Sequence, residues 1–150
     1  DGNLPTSSDD VFFDANSFSG TNDVVLLDSG VCHNMDWTGA TGTPHFKGDN
    51  IGFFYLHGSL TFIESMYVFD YDRDYTGEGD YPNINIYIWG NDENRTIQPA
   101  GQHWCLFMWE NEIGTSTVTL LGDLDVNMIE VYWGTFDAND YDVLFLSNFE

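Results

Sequence analysis

Apolar and polar side chains alternate with a period of two along much of this chain, and this pattern constrains the fold most. Residues 83–89 are the clearest case: three isoleucines share one face, while two asparagines, Tyr87 and Trp89 share the other. Such alternation is typical of a half-buried β-strand, and the spacing of an amphipathic helix is nearly absent. The pattern predicts an all-β protein with little or no helix.

Gly- and Asp-rich turn clusters divide the chain into short strand candidates. Besides 83–89, the predicted strands are 11–13, 23–27, 51–57, 60–62, 66–68, 103–109, 116–121, 127–133 and 142–149. The turn clusters are 14–22, 38–50, 71–82, 90–101, 122–125 and 134–140. About eight or nine short strands with this punctuation predict one antiparallel β-sandwich of Greek-key or jelly-roll type over residues 10–150. A flexible N-terminal arm is expected at residues 1–9.

The strongly negative net charge limits the classes of partner that this chain can bind. Its 25 acidic and 3 basic side chains give a formal net charge of -22. Nucleic acid and anionic lipid surfaces are recognised through clustered Lys and Arg, so both are excluded as partners. No apolar run approaches the roughly 18 residues of a membrane helix, so we expect no membrane insertion. The possible partners that remain are a neutral glycan and an extracellular protein, and the latter includes a second copy of this chain.

Two features favour a secreted or cell-surface location. Cys32 and Cys105 form an even pair, which predicts one disulfide in an oxidising compartment; the alternative is two buried free thiols. Asn94 begins the glycosylation sequence Asn-Arg-Thr within a polar stretch. The chain opens at Asp1, so we expect either a processed mature end or part of a longer chain.

Two acidic clusters have the oxygen ligands that Ca²⁺ prefers. In the first, Asp70, Asp72 and Asp74 alternate, and Glu78 and Asp80 follow them. The alternative is an acidic loop that points into water. The second comprises Asp137, Asn139 and Asp142; the alternative there is an Asx-rich turn. The four histidines are scattered without metal-ligand spacing, and no organic cofactor is predicted.

Catalytic signals are weak. The chain lacks a Gly-x-Ser-x-Gly elbow. Glu64, Glu110, Glu112 and Glu130 are the residue type that a glycosidase needs, and their alternative role is as outward-facing strand positions. We therefore expect a protein without enzymatic activity.

Aromatic residues form 17% of the chain, and Tyr87 and Trp89 lie opposite the isoleucines of their strand. They are the predicted ligand-binding platform, because flat rings beside Asn and Asp suit stacking against sugars or protein contacts.

One family resemblance involves the turns. Phe13, Asp14, Phe18 and Gly20 resemble the aromatic-acid-aromatic-x-Gly opening hairpin of a βγ-crystallin motif. Residues 48–53 look like a closing segment, 68–77 like a second opening and 125–129 like a weaker second closing. The resemblance implies a Greek-key fold and a calcium site. Gly52 and Phe53 replace the hydroxyl residues of that site, which leaves Asp49 and Asn50 as partial matches.

These observations predict a secreted, non-enzymatic β-sandwich whose acidic loops bind Ca²⁺ and which serves as an extracellular structural or binding module. One alternative is a carbohydrate-binding module that uses Tyr87 and Trp89. The other is a self-assembling subunit of an extracellular filament, coat or matrix.

Overall fold

The computed structural model describes residues 4–18, 23–26, 29–48, 52–68, 84–90, 93–110 and 115–145, and this part of the chain contains strands but no helix. The strands are β1 (Val11–Phe12), β2 (Asp23–Leu26), β3 (Ser29–Cys32), β4 (Met35–Asp36), β5 (His45–Gly48), β6 (Gly52–Leu56), β7 (Leu60–Thr61), β8 (Tyr67–Val68), β9 (Ile84–Gly90), β10 (Arg95–Gln98), β11 (His103–Glu110), β12 (Thr117–Leu120), β13 (Leu124–Val131), β14 (Thr135–Asp137) and β15 (Val143–Phe145). The all-β prediction is confirmed.

Every strand pair in the described residues is parallel, and the strands form three sheets. The first sheet has the order β1-β4-β7-β10-β12-β14, the second β2-β5-β8 and the third β15-β13-β11-β9-β6-β3. Consecutive strands along the chain belong to different sheets, and each strand pairs with the strands one turn earlier or later. This arrangement is a parallel β-solenoid, in which the chain winds into stacked coils.

The prediction of an antiparallel Greek-key or jelly-roll sandwich is therefore wrong. Parallel neighbours need a connection of a dozen or more residues, which is usually a helix, and the sequence shows no helical pattern. In a solenoid the strands of the other sheets make that connection. The Greek-key fold that the βγ-crystallin resemblance implies is wrong for the same reason. Phe13 and Phe18 do pack together, with ring centroids 5.4 Å apart, but they lie between β1 and β2, which belong to two different parallel sheets.

Unequal coil lengths explain why the repeat is hard to see in the sequence. The first sheet places Val11, Met35, Leu60, Ile97 and Leu120 in successive register, and the intervals between them are 24, 25, 37 and 23 residues. Most predicted strand positions coincide with observed strands. Five strands were missed, and three of them, β5, β10 and β14, lie inside predicted turn clusters.

The core lies between the sheets, where the inward side chains of each coil stack on those of the next. The earlier coils fill it with aromatic rings, including Trp37, Phe46 and Phe62, which are at most 2% exposed. The later coils fill it mainly with aliphatic side chains such as Ile86 and Val118, which are fully buried, together with the ring of Trp104. Regular stacking of buried side chains makes the sheets a rigid support for whatever their outer faces carry.

A ladder of polar side chains holds successive coils in register at the corner between the third and first sheets. The Asn34 backbone N–H donates to Asp10 Oδ1 at 3.1 Å, and the Ser59 N–H donates to Asn34 Oδ1 at 2.7 Å. The Thr96 N–H donates to Ser59 Oγ at 3.0 Å. One step further, the Thr117 N–H donates to Asn94 Oδ1 at 2.9 Å. Each bond satisfies a backbone donor of one coil with a side chain of an earlier coil.

Gly58 is required at this corner, because a Cβ at this position would overlap Asn34 Oδ1. Residues 6–9 form a turn in which the Asp9 N–H donates to the Thr6 carbonyl, and the Asp9 carbonyl accepts from the His33 N–H at 2.8 Å. The segment before β1 is thus tied to the next coil at Asp9. The predicted mobility of residues 1–9 stays a prediction.

Candidate ligand-binding site

The outer side of the third sheet carries a group of aromatic side chains. In β9, Ile84, Ile86 and Ile88 are fully buried, whereas Tyr87 is half-buried and Trp89 is 38% exposed on the other side. Strand alternation produces this separation, because successive side chains point to opposite faces. The structure thus places Tyr87 and Trp89 on the outer side, as the sequence pattern indicates.

The neighbouring strand β6 adds two aromatic residues that sequence reasoning missed. Phe53 is 37% exposed and Tyr55 is half-buried. The ring centroid of Tyr55 lies 5.4 Å from that of Tyr87 and 6.1 Å from that of Trp89, and Phe53 lies 5.8 Å from Tyr87. These distances are those of interacting aromatic pairs. The contacts fix the rings relative to one another before any ligand arrives.

Strand β13 extends the group through a β-bulge. The pairing with β11 shifts between Trp104↔Val126 and Cys105↔Met128, so β13 has one extra residue at this point. Val126, before the bulge, is fully buried, whereas Met128, after it, is 38% exposed. A bulge changes which residues face outward, and here it brings Met128 and Glu130 to the outer side.

Tyr132 follows β13 and completes the group at 51% exposure. Its hydroxyl donates to Glu130 Oε2 at 2.7 Å. That hydrogen bond and the Glu130 charge raise the pKa of Tyr132, with weaker contributions from desolvation and from Tyr87. We call Phe53, Tyr55, Tyr87, Trp89 and Tyr132, with Glu130, the aromatic face.

Strand β11 lies between β9 and β13. The register pairs its Phe107 with Tyr87 on one side and Glu130 on the other, and pairs Trp109 with Trp89. The backbone therefore continues an aromatic sequence pattern from β9 towards β13. At the other end of the strands, His103 Nδ1 lies 2.8 Å from Asp125 Oδ1 and forms a polar border.

The second predicted calcium cluster is a hydrogen-bonded turn. The Asn139 N–H donates to Asp137 Oδ1 at 2.9 Å, which is an Asx turn, and Asn139 Nδ2 donates to the Leu120 carbonyl. The Asp142 N–H donates to Asp123 Oδ1. Asn139 and Asp140 have positive φ angles of 51° and 64°, which Asn and Asp tolerate. The alternative interpretation of an Asx-rich turn thus accounts for these residues.

Other predicted sites fall partly outside the described residues. The structure does not describe the first predicted calcium cluster, which is Asp70, Asp72, Asp74, Glu78 and Asp80. It also does not describe Asp49, Asn50, Glu112 or the side chain of Glu110. Within the described ranges, no group of three or more His, Cys, Asp or Glu side chains is arranged to hold a metal ion. Glu64 is exposed between β7 and β8, whereas Glu130 lies within β13 of the third sheet.

The structure corrects the predicted disulfide. Cys32 is a buried free thiol, and burial, with the Asp10 charge as a weaker cause, raises its pKa to about 12. Cys32 lies in β3 and Cys105 in β11, three strand spacings apart, which is about 14 Å. A disulfide requires Cα atoms about 4.4–6.8 Å apart. The alternative of a buried thiol therefore describes Cys32. The predicted glycosylation residue Asn94 is exposed, and its Oδ1 accepts the hydrogen bond from the Thr117 N–H.

Comparisons with protein-family models, with curated protein sequences and with solved structures gave no match. No helix in the described part of the chain is long and apolar enough to cross a membrane. The functional argument therefore depends on the aromatic face itself. A signal that could have revealed this face is the recurrence of aromatic residues at outer positions one coil apart, as in Tyr55 and Tyr87.

Proposed function

We propose that this protein is a non-enzymatic, extracellular binding module whose aromatic face binds a neutral glycan. The observation that carries the proposal is the packed and partly exposed set Tyr55, Tyr87 and Trp89 on a rigid parallel sheet. Ring faces carry partial negative charge and attract the slightly positive C–H groups of a sugar ring. Held by their neighbours, these rings lose little conformational freedom on binding.

Hydrogen-bonding groups beside the rings support a glycan over a purely apolar ligand. Asn85 lies on the outer side of β9, and Glu130 and Tyr132 lie at the far end of the aromatic face. A carboxylate accepts hydrogen bonds from sugar hydroxyls, and an amide both donates and accepts. Glycan binding to such a surface would thus combine stacking with directional contacts.

The overall charge favours a neutral glycan over an acidic one. A net charge of -22 repels polyanions, and Glu130 adds a negative group to the aromatic face itself. The same charge opposes contact between two copies of this face at low salt. A neutral polymer avoids both penalties.

Calorimetric titration with soluble neutral oligosaccharides tests the proposal. Trp89→Ala should weaken binding at least about tenfold, equivalent to about 1.4 kcal/mol, because it removes an exposed stacking surface. Phe12→Ala is the matched control, since Phe12 is 66% exposed on the first sheet, away from the aromatic face. Unchanged binding by Trp89→Ala, or no binding of any neutral glycan by the wild-type protein, would refute the proposal.

Self-association is a second candidate, favoured by the last described coil. Trp133, Leu144 and Phe145 are 45–59% exposed, and β14 and β15 end their sheets in the described residues. Apolar side chains beside sheet edges are a common surface for contact with another chain. Sedimentation over a range of protein concentrations tests this candidate. Leu144→Asp should abolish any concentration-dependent assembly, and a wild-type protein that stays monomeric at high salt would exclude the candidate.

Calcium binding at residues 70–80 remains a separate proposal from the sequence. Bound Ca²⁺ would stabilise the protein by mass action, by about 2.7 kcal/mol at a free concentration 100 times the Kd. We expect millimolar Ca²⁺ to raise the melting temperature, and Asp72→Asn to reduce that rise. An equal rise with Na⁺ at matched ionic strength would show general charge screening instead of a site.

A further inference from the structure

We infer that the aromatic face binds a short segment of an unbranched neutral glycan, about three sugar rings long, that lies along β6 and β9, parallel to the strands. This inference rests on the proposed function and adds the direction and the length of the bound ligand. It depends on four described rings of two neighbouring strands, which are Phe53 and Tyr55 in β6 and Tyr87 and Trp89 in β9.

The four rings form one continuous series of contacts. The ring centroid of Tyr87 lies 5.8 Å from that of Phe53 and 5.4 Å from that of Tyr55. The ring centroid of Tyr55 in turn lies 6.1 Å from that of Trp89. We call these residues, in the order Phe53, Tyr87, Tyr55 and Trp89, the ring series. It alternates between the two strands, and it runs from near the start of β6 to near the end of β9.

The strand register sets the direction of the ring series. Phe53 pairs with Asn85 and Tyr55 pairs with Tyr87, while Trp89 lies two residues further along β9. Outer positions along one strand recur about every 6.6 Å, whereas neighbouring strands are only about 4.8 Å apart. From Phe53 to Trp89 the series therefore extends about 13 Å along the strands and about 5 Å across them. Its long axis is that of the strands.

The neighbours of the ring series limit the stacking surface on two sides. Strand β3 pairs with β6 on the side away from β9, and it places Ser29 opposite Phe53 and Val31 opposite Tyr55. Neither residue is aromatic, so the series does not continue onto β3. Beyond the end of β9 the corner carries Glu93, whose Oε2 lies 3.2 Å from His33 Nε2. A polar pair replaces the rings there.

Exposure and length together define the ligand. The two end rings are the most exposed, Phe53 at 37% and Trp89 at 38%, and the half-buried Tyr55 and Tyr87 lie between them. The end rings offer the larger stacking surfaces, and the tyrosine hydroxyls can donate and accept hydrogen bonds. One ring of an extended pyranose chain is about as long as the strand spacing, so about three rings connect the two ends.

A length series of linear neutral oligosaccharides, from one to seven rings, tests the inference by calorimetry. Affinity should rise up to about three rings and then level off. Phe53→Ala and Trp89→Ala should each weaken binding of three or more rings at least about tenfold. Each should weaken binding of a single sugar ring by no more than about twofold, because the other end ring remains.

Two further variants control for folding and for position. Phe53→Leu keeps an apolar side chain but removes the flat ring, so it should reproduce the loss caused by Phe53→Ala. Phe12→Ala, on the first sheet, should reproduce the wild-type series. Melting curves of each variant verify folding, so lost affinity can be assigned to the binding surface.

The outcomes separate this inference from the proposed function. If both Phe53 variants bind long oligosaccharides as tightly as the wild-type protein while Trp89→Ala does not, the direction along the strands is wrong and glycan binding stands. An affinity that keeps rising up to seven rings would show a longer surface and would also overturn the inference. If no sugar binds at any length, both proposals fail.

Discussion

The two faces of the third sheet use the same backbone for different purposes. On the inner face, Ile84, Ile86 and Ile88 are fully buried and belong to the hydrophobic core of the solenoid. On the outer face, Tyr87 and Trp89 expose part of their rings and touch Tyr55 of the neighbouring strand. A strand of seven residues therefore combines a structural row and the row that we propose binds a ligand. The difference predicts that mutations one residue apart have separable effects on stability and binding.

Neighbouring substitutions in β9 test this comparison with the largest expected effect. Ile86→Ala should reduce the free energy of unfolding by about 2–5 kcal/mol, because it leaves a cavity in a fully buried site. Tyr87→Ala should cost about 1 kcal/mol, since Tyr87 is half-buried and loses mainly ring contacts. Denaturant titration of both variants measures the difference. Equal losses would show that the outer row is as structural as the inner one.

The corner ladder maintains the register on which both faces depend, and its loss should have the next largest effect. Asn34→Ala removes the acceptor of the Ser59 N–H and leaves that partly buried donor unsatisfied. We expect a loss of about 1–3 kcal/mol. Asn16→Ala is the control, because Asn16 hydrogen-bonds only within an exposed local turn in the described structure. Denaturant titration should separate the two variants, and a ladder variant as stable as this control would contradict the role of Asn34.

Trp89→Ala should change stability less than the ladder variant, by under about 1 kcal/mol, as expected for a partly exposed position. Its melting temperature should stay near the wild-type value while glycan affinity falls. A large loss of stability would show that Trp89 supports the sheet, and would weaken its assignment to the binding row.

The sequence predicted local structure better than topology. Alternation in residues 83–89 identified both faces of β9, because side-chain direction in a strand depends only on local geometry. Pairing direction is not local: β6 and β9 are separated by a coil of 32 residues at Gly52↔Ile84, and β9 and β11 by one of 20 at Asn85↔Cys105. No fixed period signals these coils.

The aromatic face was predictable in part for the same reason. Tyr87 and Trp89 follow from alternation, whereas Tyr55 reaches them only through the register of a neighbouring coil. Glu130 and Met128 depend on the bulge in β13, which reverses the inner and outer positions that strict alternation from Val126 would assign. A bulge has no reliable sequence signal, so this end of the face required the structure.

Protonation of His33, at the corner between the third and first sheets, should have the smallest effect on stability. A pH series therefore tests this corner separately from the two faces of the third sheet. His33 lies between Asp10 Oδ1 at 3.0 Å and Glu93 Oε2 at 3.2 Å, and these hydrogen bonds, that to Glu93 first, raise its pKa above 6.5. His57 on the next coil has a lowered pKa, because burial and the charges of Arg95 and His33 disfavour its protonation.

The two histidines therefore oppose each other as pH changes. The stabilisation from protonated His33 is fully present below pH 6.5, the ordinary pKa of histidine. It is lost as the pH rises through the higher pKa that His33 has in the folded protein. His57 instead costs stability as pH falls below 6.5. The stability gap between wild type and His33→Gln should thus be widest near pH 6 and close in mild alkali, with His57→Gln showing the opposite trend. Melting curves between pH 5 and 9 measure both gaps, and a His33→Gln gap that widens with rising pH would show that the imidazolium does not bridge these carboxylates.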